Sequence, residues 1–185
     1  MRHTTLASLV LTLSLSSTLA GAAPPLSAYA GQQEREIKAL SAEDLKAYLS
    51  GKGMGLARAA ELNGYAGPAH VLELDTPLAL TPEQKAQTEA LFASMERKAV
   101  VLGQALVAAE RRMDRLFATQ AITPDLLARS LEEIGTLQAQ VRGVHLEAHL
   151  AQVAILTPAQ KLRYAQLRGY DSTGVSPAHP HQPTH

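Results

Sequence analysis

The chain has 185 residues, about the size of one domain, which excludes a large multidomain enzyme. Ala (32) and Leu (29) dominate, while Val and Ile together supply 13 and Trp none, a balance that favours helix and argues against an all-β fold. Lys plus Arg and Asp plus Glu are equal at 17 each, so no basic excess draws the chain to nucleic acid, and the absence of Cys removes disulfides, thiolate metal sites and cysteine nucleophiles.

In chain order, residues 1–22 read as a secretory signal: Arg2 in a short basic start, an apolar and hydroxyl stretch from Leu6 to Leu19, then small residues. Cleavage after Ala22 and cleavage after Ala30 both fit, and the two remain open. The apolar run is shorter than the ~20 residues of a spanning helix, so membrane insertion of the mature chain is not expected. Export to the periplasm of a Gram-negative bacterium is the preferred reading.

The mature domain is placed at 31–170. Helical patterning runs from Gln32 to Leu49, and Ser41 with Asp44 three residues later marks a helix start at Ala42. The run Gly51, Lys52, Gly53, Met54, Gly55 is glycine-rich, yet without a preceding strand or a Gly-Lys-Ser/Thr signature it is no phosphate loop. A short helix from Leu56 to Leu62 stops at Asn63-Gly64, and Gly67-Pro68 opens a brief apolar turn through His70, Val71 and Leu74.

Beyond Leu80 the pattern lengthens. Pro82 to Ala118 permits one helix ~55 Å long at ~1.5 Å per residue. Its stripe of Met95, Ala99, Leu102, Leu106, Ala109, Met113 and Leu116 alternates steps of four and three residues, as in a coiled coil. Pro124 to Ile155 carries the matching stripe Ile134, Leu137, Val141, Val144, Ala148, Ala151 and Ile155. The expected fold is all-α: a long antiparallel helical hairpin, short flanking helices, and a last helix from Pro158 to Arg168. The Pro- and His-rich tail 171–185, with His179, His181 and His185, has little to bury and is expected to be disordered.

Two segments repeat: Leu80-Thr81-Pro82-Glu83-Gln84 and Leu156-Thr157-Pro158-Ala159-Gln160. Each encodes a helix start, with Thr as N-cap, Pro in the first turn and Gln reaching back to the cap. With these paired Leu-Thr-x-x-Gln motifs around a long hairpin, the chain resembles the Spy/CpxP family of periplasmic stress proteins over about Leu80 to Arg168. That resemblance implies a four-helix protomer that dimerises into a thin curved cradle. It further implies an ATP-independent chaperone that holds unfolded or aggregation-prone proteins during envelope stress, or a regulator partnered with an envelope-stress sensor. Related periplasmic proteins bind or sense zinc, nickel, cobalt or copper through histidines, which makes a heavy-metal sensor or metal-resistance protein the alternative. No cofactor is required by the first reading.

The residues support a binding surface on their own terms. The first long helix gathers Arg97, Lys98, Arg111, Arg112 and Arg115 against Glu110 and Asp114, a local charge of +3. Arg97, Arg111, Arg112 and Arg115 beside Met113, Leu116 and Phe117 would attract an unfolded chain by charge and retain it by apolar contact. Too little apolar surface is buried in a hairpin alone, so the short helices or a second protomer must cover the seam. His145 and His149, four apart on one helix face, together with His70 and Glu73, form a candidate metal set. The bland reading places His145 at the edge of the apolar stripe and His149 further out in solvent. No nucleophile elbow, Walker motif, dinucleotide fingerprint or zinc-protease motif is present, and no enzymatic activity is expected.

Overall fold

The computed structural model describes residues 27–170. The expected leader 1–22 and tail 171–185, with its three histidines, lie outside the described residues. Residues 27–31 belong to a unit of their own and form a turn in which Ala30 N–H donates to the Ser27 carbonyl at 2.9 Å.

From Gln32 onward the described fold is helical. A single 3-10 turn at Gln32–Glu34 precedes α1 (Ala42–Leu49), α2 (Arg58–Glu61), α3 (Pro68–Glu73), α4 (Asp75–Leu78), α5 (Pro82–Ala118), α6 (Pro124–Ile155) and α7 (Pro158–Leu167). The helical pattern from Gln32 thus does not continue into α1, because Ser41 caps it afresh: its hydroxyl accepts from Asp44 N–H while the Asp44 carboxylate accepts from Ser41 N–H. The Leu56–Leu62 helix shortens to α2, flanked by turns.

The two long helices pack as the expected hairpin. The five-residue link carries Gln120 in the left-handed region at φ 56°, and Thr123 restarts the chain by accepting from Leu126 N–H. Of the first stripe, Met95, Ala99, Leu106 and Ala109 are buried and Leu102 and Met113 pack against them.

The second stripe drifts. Ile134, Val141 and Ala148 are buried as expected, but the next inward positions are His145 and Gln152, while Ala151 is exposed. Steps averaging 3.5 residues follow a supercoiled seam, whereas a straight helix advances 3.6 residues per turn and its contact line slips ~20° per heptad. The buried set 134, 141, 145, 148, 152 follows the straight-helix period. The Gln152 amide nitrogen donates to the Thr88 hydroxyl at 3.1 Å, both side chains being fully buried, while its Oε1 has no hydrogen-bond partner among the described residues.

The short helices cover part of the hairpin. α1 lies so close to α5 that a methyl group at Gly103 would overlap the Tyr48 carbonyl. At the base, Ala66, Val71, Leu78, Leu156 and Tyr164 form a second core that ties α3, α4 and α7 to the end of α6.

That base is locked by the repeated motifs. Thr81 and Thr157 each make a complete capping box with Gln84 and Gln160. The two glutamines also face each other: Gln84 Nε2 donates to Gln160 Oε1 at 2.9 Å, and Gln160 Nε2 donates back to Gln84 Oε1 at 2.9 Å. Gln84 Nε2 reaches the Ile155 carbonyl at 2.8 Å and Gln160 Nε2 the Leu78 carbonyl at 3.2 Å. The motif therefore starts two helices and clamps their ends together, while Leu156 is buried and Leu80 packs beside it.

Candidate functional site

Two regions bear on function: the far end of the hairpin and a cleft beneath the glycine-rich loop. At the hairpin end the basic cluster is partly neutralised. Arg111 pairs with Glu36 at 2.7 Å, Arg112 with Glu133 at 2.6 Å, and Asp114 with Lys38 at 3.3 Å. Arg97 and Arg115 are exposed and make no ion pair among the described residues. Met113 is half-buried against the hairpin core and Leu116 is half-buried, so of the three apolar candidates only Phe117, 52% exposed, offers its side chain freely.

Sequence reasoning missed the other exposed apolar side chains of the rods. Val101 is 65% exposed on α5, and Leu131 and Leu150 stand out from α6. Between the rods, Leu102, Ala139, Gly143 and Val144 line a shallow groove of about 520 Å³ that the short helices leave open. Glu110, counted as a surface charge above, is 5% exposed, and its Oε2 has no hydrogen-bond partner among the described residues. Burial pushes its carboxyl above the usual range.

The cleft has a volume of about 770 Å³ and is walled by residues 50–55, α2, the start of α3, and the facing stretches of α5 and α6. All four metal candidates line it: His70, Glu73, His145 and His149. They do not converge on one point. His70 Nδ1 donates to Glu73 Oε2 at 2.9 Å near the mouth, and His149 Nδ1 donates to the Tyr65 carbonyl at 2.7 Å. Since a carbonyl only accepts, this bond fixes the His149 proton on Nδ1. His149 is accordingly held inside, its side chain only 12% exposed, and not in solvent as its helical position suggested, because the α2–α3 segment folds over it. Among the described residues no three His, Asp or Glu side chains are grouped to hold a metal ion.

His145 occupies the floor. It is 4% exposed and its Nε2 has no hydrogen-bond partner among the described residues. Burial, then the neighbouring His149, hold its imidazole below the usual histidine range, so the neutral ring is favoured.

Beside the cleft a carboxylate ties three helices together. Glu61 accepts from the Tyr164 hydroxyl at 2.5 Å and from Gly67 N–H at 3.2 Å, with Arg168 Nε at 3.5 Å. Burial, reinforced by Glu61, pushes the Tyr164 phenol well above its ordinary value, so it remains a donor. Gly67 must lack a side chain: a Cβ there would stand 2.8 Å from the His149 ring. These partners are 103 residues apart in sequence, and no local pattern announces them.

No helix among the described residues is long and apolar enough to cross a membrane. Comparison with protein-family models, with curated proteins and with solved structures finds no match.

Proposed function

We propose that the protein is an ATP-independent periplasmic chaperone that holds unfolded or aggregation-prone proteins during envelope stress, acting as a homodimer in the manner its Leu-Thr-x-x-Gln motifs suggest. The observation that carries this reading is a two-helix rod with bare side chains of two kinds. Val101, Phe117, Leu131 and Leu150 are exposed and apolar, and Arg97 and Arg115 are exposed and make no ion pair among the described residues. Covering one such apolar side chain gains about 1.5–3 kcal/mol before the losses of association, so a client would be held through several contacts and released readily. Unpaired guanidinium groups add long-range attraction for acidic stretches without fixing a sequence.

The test is suppression of aggregation of a chemically unfolded client in buffer free of ATP and metal. Near-stoichiometric protein suppresses aggregation, and a variant with Val101, Phe117 and Leu131 all changed to Ser loses most of that effect while keeping its helical circular dichroism. No suppression by the unaltered protein refutes the reading.

A second reading, divalent metal binding in a sensor or resistance role, is favoured by the presence of His70, Glu73, His145 and His149 around one cleft. Calorimetric titration with zinc, nickel, cobalt and copper decides it: no saturable site tighter than ~10 μM, about −7 kcal/mol, rejects it.

A further inference from the structure

The far end of the hairpin already holds a short piece of irregular chain. Residues 35–40, between the 3-10 turn and the Ser41 cap, form no helix and lie against α5 as a strap. Among residues 32–41 only Ile37 is buried, at 2% exposed. Both of its neighbours are tied to α5. The Glu36 carboxylate accepts from Arg111 Nε at 2.9 Å and lies 2.7 Å from Arg111 Nη2. Lys38 N–H donates to Asp114 Oδ1 at 3.1 Å, and its Nζ donates to Oδ2 at 3.3 Å. An aliphatic side chain between an acid and a base thus meets a cation and an anion three residues apart on one rod.

The hold on the strap is weak. Glu36 and Lys38 have side chains 61% and 50% exposed, and ion pairs at such surfaces contribute little. The backbone bonds at its two ends are local, from Arg35 N–H to the Gln32 carbonyl and from Leu40 N–H to the Ile37 carbonyl. Its seat is also underfilled. Beside Lys38 and Ala39 a cavity of about 470 Å³ stays open, walled by Met113, Phe117 and Ala118. The Ala39 methyl group is too small to occupy that space, whereas a larger apolar side chain in its place would be covered there.

We propose that residues 35–40 are a built-in occupant of a peptide-binding surface at the hairpin end. In the strap's place this surface takes irregular segments of other chains with an acidic, an aliphatic and a basic residue in succession, followed by a large apolar residue that enters the open cavity. That these other chains are clients rests on the chaperone reading. Arg111 and Asp114 are committed to the strap at rest and become free when it leaves. A site filled about nine-tenths of the time by its own strap binds an outside segment about tenfold more weakly than a vacant one.

Fluorescence anisotropy with a labelled peptide of residues 33–40, added to the full chain, tests the proposal. Ile37→Asp in the protein, which unseats the strap, tightens peptide binding about tenfold or more. Glu36→Lys with Lys38→Glu changes only exposed side chains and opposes like charges across the strap; it tightens binding severalfold and keeps the experiment decisive should Ile37→Asp lose its helical circular dichroism. Against the loosened protein, a peptide carrying Ile37→Asp or the reversed charge pair binds about tenfold or more weakly, and one carrying Ala39→Leu binds severalfold more tightly. Equal peptide binding by the parent and the charge-reversed protein, no binding by any of them, or indifference to Ile37→Asp in the peptide overturns the proposal. Aggregation assays separate it from the reading it rests on. If the parent suppresses aggregation, the loosened variants do so at a lower ratio, and an unchanged ratio overturns the use of this surface by clients. If neither parent nor variants suppress aggregation while the peptide results hold, the chaperone reading fails and the peptide-binding surface stands.

Discussion

The reciprocal glutamine pair is the most exposed part of the structural account, since it assigns to the repeated motif an energy no isolated capping box would have. Gln84→Ala deletes two hydrogen bonds shared with Gln160, one to the Ile155 carbonyl and one from Thr81 N–H. At about 0.5–1.5 kcal/mol for each bond, with the exposed cap bond at the low end, the expected loss is about 2–5 kcal/mol. Gln160→Ala deletes the same two shared bonds with those to Leu78 and Thr157, and a loss of similar size follows. Because each single variant already removes the shared pair, the double variant falls short of additivity by about 1–3 kcal/mol. Gln84→Glu separates clamp from cap: its carboxylate still accepts from Thr81 N–H, but both Nε2 donations vanish and its charge faces the Gln160 and Ile155 oxygens. It retains most of the destabilisation. Urea unfolding followed by circular dichroism, with the four proteins fitted to a common slope, gives the cycle. Additivity within about 0.5 kcal/mol would show that the two motifs act as separate caps and that the clamp does not hold the base together.

Three further outcomes follow from burial. Burial raises the Glu110 carboxyl above its unfolded value, so its stabilising protonated form is fully present in acid and its contribution is lost as pH rises through the raised folded value. The stability of Glu110→Gln relative to the parent therefore grows as pH rises above the ordinary glutamate value of 4.5, and a difference independent of pH contradicts the placement. His145 shifts the opposite way: its depressed folded value means that stability is full above about 6.5 and falls as pH drops, and His145→Phe flattens that fall in urea midpoints. Gly103→Ala forces α1 off α5 at the Tyr48 carbonyl and costs about 1–3 kcal/mol, where an exposed helical Gly→Ala such as Gly135→Ala would stabilise. Equal midpoints for the two glycine variants would sink the close contact.

How much of this was legible in the sequence depends on the range of the interaction. Helix starts at Ser41, Thr81, Thr123 and Thr157 are local, set by a side chain and the backbone three residues on, and the structure places α1, α5, α6 and α7 at them. The two-rod hairpin was legible because apolar periodicity runs unbroken from Met95 to Leu116 in α5 and from Ile134 to Ile155 in α6. What the stripes concealed was phase: a heptad template selects Val144 and Ala151, whereas straight rods bring His145 and Gln152 inward. Polar residues at those positions read as surface until their partners are known. The pairing of Gln84 with Gln160 was half visible, since the duplication was evident and the contact was not. Glu61, Tyr164 and Arg168 were not visible at all, because a buried ion network between distant helices leaves no periodic trace. The four histidine and glutamate candidates proved to share a cleft, while their hydrogen bonds to Tyr65 and to one another could not be foreseen from spacing.

The functional account turns on where an unfolded chain touches the protein. A photoreactive residue placed singly at Val101, Phe117, Leu131 or Leu150 on the rods, and at Leu49, Tyr65 or Leu162 on the flanking helices and loops as controls, reads that contact directly; all seven positions are exposed. The account predicts that an aggregation-prone client crosslinks to the rod positions and not to the controls, and that high salt weakens the yield. Crosslinks confined to the controls, or equal at all seven, would contradict it.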